Sequence, residues 1–227
     1  NPGVARPVDY DESELTLKFG ALIQITDFLS AFGRYSEGFR APPFDDVNLG
    51  FTNFLGGYKT ISAPDLTSET SEGVEVGLRF LSENAEISVT AFSTEYDDFI
   101  ATAGSGHCPT AYRQFGCFDP VDGFLVFQSE NISKVSIDGL ELRFLIDLSV
   151  MGLDNFGVRG AIAYADGEDE DTGEPLDTIQ PLTAVIGLSY DSKNGKWGGQ
   201  LIWTGVEAKD SSDISVGSAL TETSGYG

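Results

Sequence analysis

Reactive side chains are few, and they gather in one stretch. Cys108 and Cys117 lie in a segment rich in glycine, proline and polar residues, and His107, the single histidine of the chain, precedes the first of them. Cysteines this close in such a segment read as a disulfide across a surface loop, which implies an oxidising compartment. The competing chemistry is a two-thiol metal site, for which His107 is the one nearby third ligand, short of the four that structural zinc takes. His107 itself is either an exposed loop residue or the one imidazole available for ligation. Asp166, Glu168, Asp169, Glu170, Asp171 and Glu174 form a dense acidic cluster. It attracts cations but lacks the alternating spacing and turn glycine of an EF-hand loop, and so reads as a solvated loop. No glycine-rich phosphate loop, nucleophile elbow or histidine cluster occurs, so binding or transport is expected and catalysis is not.

Composition narrows the classes further. The 227 residues carry a formal net charge of -23, which argues against nucleic acid as a partner, because binding its backbone requires basic patches. Sixteen phenylalanines and eight tyrosines against one histidine suit β-structure better than a histidine-rich metal enzyme. No stretch approaches the run of about 20 apolar residues that a membrane-spanning helix needs, so any crossing must use strands. Residues 1–11 lack the charged and apolar regions of a signal peptide, as an internal piece of a longer chain would.

The elements that would position these residues are strands. Val74, Val76, Leu78 and Phe80 alternate with Glu75, Gly77 and Arg79, giving one apolar and one polar face. Ile87, Val89 and Ala91 repeat the pattern after the short turn 82–84, so the two runs read as an antiparallel hairpin. Leu140, Leu142, Phe144 and Ile146 form a third such run, and Phe156, Val158, Gly160, Ile162 and Tyr164 a fourth. Ala184, Ile186, Leu188 and Tyr190 precede another turn, followed by Trp197, Leu201 and Trp203. Residues 14–25 and 28–40 make a first pair with a less clean pattern, in which Phe28 and Phe32 compete with Leu29 and Tyr35 for the apolar face.

The connections alternate in length. Short turns follow the odd strands, whereas long polar segments, about 41–70, 101–123, 165–181 and 207–227, follow the even ones. Short turns on one side and long loops on the other is the layout of an antiparallel transmembrane β-barrel, and strands of roughly 10 residues with one apolar face are long enough to cross. Tyr96, Phe99, Tyr164, Tyr190 and Trp203 are candidates for the aromatic girdles at the lipid headgroups. A soluble β-sandwich, secreted for binding or adhesion, is the alternative; it predicts less bias in loop length and a sheet-packed face in place of a lipid-facing one.

Several segments resemble the barrel domain of TonB-dependent receptors, in the branch that takes haemoglobin, transferrin, lactoferrin and haem. Tyr35-Ser36-Glu37-Gly38-Phe39-Arg40-Ala41-Pro42 is similar to the family's FRAP segment, and Ala63-Pro64-Asp65-Leu66 with the following Ser68-Glu69-Thr70-Ser71 to its NPNL and ETS segment, alanine replacing the first asparagine. Phe92–Ile100, Phe127–Ile132 with Ile137–Glu141, Thr172–Pro181 and Gly195–Gly198 resemble further family segments in the expected order.

The resemblance implies an outer-membrane barrel of about 22 strands with a plugged lumen, of which residues 1–227 are about eight strands. The plug and the closing strands would lie outside this chain. The implied function is TonB-dependent uptake of an iron-bearing ligand, haem or a haem protein first and a ferric siderophore as the alternative, in a Gram-negative outer membrane. Haem or the ferric ligand is then cargo and no intrinsic cofactor is implied; the partners are TonB, acting through the plug, and outer-membrane lipid. In the family the loop between the two motifs commonly supplies a histidine to haem iron. Residues 43–62 contain none, and Tyr58 is the residue there whose phenolate could ligate ferric iron, against an ordinary packing role. In the next loop His107, Tyr112 and Arg113 are further ligand-binding candidates, Arg113 through a bidentate pair with a propionate.

Overall fold

Period-2 patterning becomes eight long strands in one continuous antiparallel sheet. The computed structural model describes residue 8 and residues 13–103, 107–209 and 213–215. Its strands are β1 (Lys18–Gln24), β2 (Leu29–Arg40), β3 (Phe51–Asn53), β4 (Tyr58–Thr60), β5 (Glu69–Leu81), β6 (Ala85–Ala101), β7 (Leu125–Phe127), β8 (Glu130–Asp147), β9 (Phe156–Asp169), β10 (Glu174–Pro175), β11 (Thr183–Asp191) and β12 (Gly198–Val206). Two single-turn helices, α1 (Phe44–Asn48) and α2 (Thr110–Arg113), lie in the connections. The large sheet runs β1-β2-β5-β6-β8-β9-β11-β12, with β10 added on β9. A small second sheet runs β3-β4-β7. No described helix is long and apolar enough to cross a membrane.

Register converts the alternation into two continuous surfaces, because residues paired across neighbouring strands share a face. Ile23, Ala31, Leu78, Val89, Leu142, Ile162, Ala184 and Gly205 form one unbroken row across all eight strands. Leu29, Phe80, Ile87, Phe144, Gly160, Ile186 and Trp203 form a second row on that face. Every side chain in both rows is apolar. The opposite face carries Arg34, Glu75, Arg79, Glu86, Ser88, Thr90, Glu141, Arg143 and Arg159. Three ion pairs lie there: Arg34–Glu75 at 3.5 Å, Arg79–Glu86 at 2.6 Å and Glu141–Arg143 at 2.9 Å. Depressions lined by Arg34, Arg79, Glu86, Ser88, Glu141 and Arg143 open on this polar face, which marks it as the concave one. The sheet is therefore a curved wall, apolar outside and wet inside, as a transmembrane barrel requires.

The ambiguity of the first hairpin is resolved by the same register. Leu29 and Tyr35 take the outer face and Phe32 the inner one. Phe32 covers Gly77 on β5, where an added Cβ would run into its ring, and Phe92 covers Gly139 on β8 in the same way. These rings fill the gaps that glycine leaves in strands bent into a wall.

The outer face also locates the edges of the lipid. Going up β6, Ile87, Val89 and Ala91 give way to Ser93, Glu95 and Asp97; on β8, Leu140 gives way to Asp138 and Ser136; on β9, Tyr164 gives way to Asp166 and Glu168. Phe19 stacks with Tyr35 near this boundary. At the short-turn end Phe28 meets Phe80, and Tyr190 meets both Phe156 and Trp197. Tyr164 and Tyr190 thus sit at the two margins. Tyr96 and Phe99 do not: they pack edge to face well above the apolar rows. Trp203 lies within the apolar band, its ring over Gly205.

Two strands run well beyond the lipid. β6 and β8 have 17 and 18 residues, where about 10 suffice to cross. Residues 130–139, ahead of the apolar run expected at 140–146, are strand, and so are Asp166, Glu168 and Asp169 of the acidic cluster, inside the connection expected at 165–181. Edge-to-edge hydrogen bonding with neighbours of equal length holds these extensions without any need for lipid.

Candidate functional site

The long connections form a folded cap, with no resemblance to independent loops. Residues 41–68 fold into α1 and the β3–β4 hairpin, and residues 107–129 into α2 and β7. β4 pairs in parallel with β7, so that strands from different connections share one small sheet. Beneath it Val47, Ala63, Leu66 and Ile100 form a buried apolar cluster. Side chains of β8 clamp the first connection: Asn131 accepts from the Thr67 amide at 2.8 Å and donates to the carbonyls of Thr67 and Asp98, and from just before β8 Gln128 donates to the Ser62 carbonyl at 2.9 Å.

This cap explains the family segments in structural terms. Phe39 is paired in the ladder, Pro42 is buried, and Arg40 lies 3.5 Å from Glu69. Glu69 is only 7% exposed and accepts from the Ile100 amide at 2.8 Å, so the acid links β2, β5 and β6 where they leave the sheet. Ala63 and Leu66 enter the apolar cluster, while Pro64 and Asp65 form the exposed turn between them.

Salt bridges chain the connections together. Lys59 on β4 places its Nζ 2.5 Å from Asp119 and 2.7 Å from Asp122. Both carboxyls are held below their ordinary range, first by Lys59 and then by the backbone amides of Val121 and Phe124. The lysine is pushed up by the same two hydrogen bonds, against the opposing effect of burial. Arg113 reaches Glu174 of the third connection at 3.7 Å. From beyond β12, Lys209 donates to the carbonyls of Asp177 and Ile179, and Ser215 donates to Asp177 through its amide and hydroxyl. All four connections are thus tied, although most of the final one, 207–227, lies outside the described residues.

The expected disulfide is present. Cys108 and Cys117 are bonded, with Cα atoms 5.6 Å apart, and both are buried. His107 is largely covered, contrary to an exposed loop residue: its Nε2 lies 3.2 Å from Glu130 Oε2. Glu130 also accepts from the amide and hydroxyl of Thr110. Burial raises its carboxyl, but the hydrogen bonds from His107 and Thr110 prevail and the net shift is downward.

A cleft of about 250 Å³ opens between the cap and the third connection, lined by Arg40, His107, Arg113, Asp169, Glu174 and Asp177 among others. It brings together two candidates read from sequence, His107 and Arg113, and one motif residue, Arg40. Tyr58 and Tyr112 are elsewhere. The Tyr58 ring packs between Phe51 and Phe127, centroids 6.3 and 6.0 Å away. Both arginine pairs at the cleft are long, and Arg40 and Arg113 keep 43% and 35% of their side chains exposed, so their guanidinium groups remain open to an incoming carboxylate. The contacts of Lys59, Glu69 and Glu130 were not read from the sequence, although Glu69 and Glu130 stand in family segments. Their partners lie about 20 to 60 positions away, and no periodicity or spacing announces them.

Comparison with known proteins follows the same lines. The family model for the TonB dependent receptor-like β-barrel matches residues 1–227. The "Probable hemoglobin and hemoglobin-haptoglobin-binding protein 4" of Haemophilus influenzae is 30% identical over 196 residues, covering 86% of this chain and 19% of the relative. Among solved structures, the copper transporter OprC superposes over 93% of this chain and 29% of its own, with a TM-score of 0.67 at 18% identity. A ferric enterobactin receptor of Pseudomonas aeruginosa gives 0.64 at 18% identity, over 93% of this chain and 31% of its own. The chain spans about a fifth of the length of the curated relatives it matches.

Proposed function

The chain belongs to the TonB-dependent receptor β-barrel family, and from that membership we propose that the whole receptor imports haem, taken from a haem-carrying protein, across a Gram-negative outer membrane. The observation that carries the ligand class is the 30% identity, over 86% of the chain, to a relative named for haemoglobin binding. Siderophore receptors share the wall at 18% identity, which speaks to the fold alone. The wall supports transport, with an apolar exterior for lipid and a charged interior for a passage. Residues 1–227 supply about eight of the roughly 22 strands of such a barrel, and TonB acts through a plug outside this segment.

In this reading the cleft is where the ligand's charged edge rests. At about 250 Å³ it lies below the 300–1,000 Å³ typical of sites that enclose a whole drug-sized ligand. It suits one carboxylate-bearing edge, met by Arg40 and Arg113, with His107 as the available imidazole if Glu130 releases it. Tyr112 stands on the same short helix as Arg113 but outside the cleft, so no ligand contact is assigned to it. Tyr58 serves packing, its ring being enclosed by two others. Growth of a strain that depends on the full-length receptor, with haem as its sole iron source, tests the proposal. Growth that disappears when TonB is removed is expected; growth on ferric siderophore alone would contradict it.

A further inference from the structure

Three carboxylates line the cleft beside its arginines, and they are not equivalent. Asp169 accepts from the amides of Asp171 and Thr172 at 2.9 and 3.2 Å, and Asp177 accepts from the amide and hydroxyl of Ser215, each at 2.8 Å. Both are satisfied where they stand. Glu174 differs: among the described residues its carboxylate meets Arg113 alone, with Oε2 3.7 Å from Nη1, an ion contact too long for a hydrogen bond. The two arginines differ as well, in how firmly their partners are held. Glu69, opposite Arg40, is buried and takes the Ile100 amide, so it cannot turn away without leaving a buried charge unpaired. Glu174 stands on the two-residue β10 with 26% of its side chain exposed, and swings into water at little cost. Arg113 is meanwhile aimed from behind, its Nε donating to the carbonyl of the disulfide-bonded Cys108 at 3.4 Å, so the guanidinium stays when Glu174 leaves.

We propose that Glu174 is a specificity-determining residue that stands in for the ligand's carboxylate: it occupies Arg113 until a haem propionate takes its place. The inference rests on the haem-uptake reading above. The exchange is favoured because an incoming carboxylate, free to orient, forms with the guanidinium the paired hydrogen bonds that Glu174 does not reach. A ligand with a neutral edge cannot make the exchange, since it would strip Arg113 of its counter-charge and offer none in return. Glu174 therefore selects for carboxylate-bearing ligands. It also lowers their affinity, because Arg113 must part from Glu174 before the new pair forms. Removing this acid should accordingly tighten binding, which is the opposite of what loss of a supporting residue does.

The test titrates the full-length receptor in nanodiscs, by the Soret band, with haem and with haem dimethyl ester, whose propionates are masked. Glu174→Gln and Glu174→Ala should each bind haem severalfold more tightly than the wild type and leave affinity for the ester unchanged. Glu170→Gln removes the same charge from an exposed neighbour on the same connection, and should change neither affinity. In the double variant with Arg113→Gln the gain should vanish. Haem affinity that is unchanged or weakened in both Glu174 variants would overturn the assignment while leaving haem uptake standing, as would an equal gain in Glu170→Gln or an equal gain for the ester. A wild-type receptor that gives no Soret shift with haem would overturn the assignment and the haem reading together.

Discussion

Lys59, Asp119 and Asp122 show how single residues hold a binding surface in place. Each aspartate is held below its ordinary value, so its stabilisation is complete above the usual carboxylate range and is lost as pH falls through the lowered value. Lys59 is held above its ordinary value, so its contribution persists through neutrality and fades only in strong alkali. Glu130 follows the aspartates, its downward shift making the His107 contact an acid-sensitive one. Hydrogen exchange at the amides of Val121, Phe124 and Thr110, corrected for intrinsic rate, should therefore show constant protection from pH 7 to about 5 and a loss below about 4. Protection that does not change over this range would contradict the assignment. Lys59→Met should lower protection at Val121 and Phe124 severalfold at neutral pH. The sequence made the cysteine pair and His107 conspicuous because they are neighbours. It hid the lysine fork and Glu130 because contacts between separate connections leave no local pattern.

Strands were far more legible than the connections between them. Alternation at Val74–Phe80, Ile87–Ala91 and Leu140–Ile146 fixes faces and pairing, since a slip of one residue would exchange the two surfaces. Above the lipid both faces of β6 and β8 are polar or mixed, the alternation vanishes, and the strand extensions could not be seen. The small sheet was invisible for a related reason, because three-residue strands from different connections carry no period. Leu142 is in the row that is apolar on every strand, and Ser88 is on the inner face beside Arg79 and Arg143. In a membrane-folding titration Leu142→Arg should destabilise the inserted full-length barrel by roughly 2–4 kcal/mol, and Ser88→Arg by much less. Equal costs at both sites would remove the lipid-facing assignment. Cys108→Ser, which opens the short disulfide loop, should cost about 2–3 kcal/mol in the local stability of the cap and leave the barrel intact. Limited proteolysis should then cut within 107–124 first; cleavage within the wall instead would show that the bond serves the barrel.

At the scale of the molecule, the wall and the cap divide the work. The wall separates lipid from a charged interior, and the cap joins four connections into one surface with a cleft. The barrel class was readable from alternating loop length and two-faced strands, without the family segments. The proposed ligand class has its only sequence signal in the resemblance, because Arg40, His107 and Arg113 converge in space and not in sequence. The central claim is that this surface belongs to a receptor whose cargo is haem. Titrating the full-length receptor with haem, and in parallel with ferric siderophores, measures it most directly. A saturable Soret-band shift, weakened severalfold in Arg40→Gln and Arg113→Gln, is the result expected; an unchanged Soret band alongside tight binding of a ferric siderophore would contradict it.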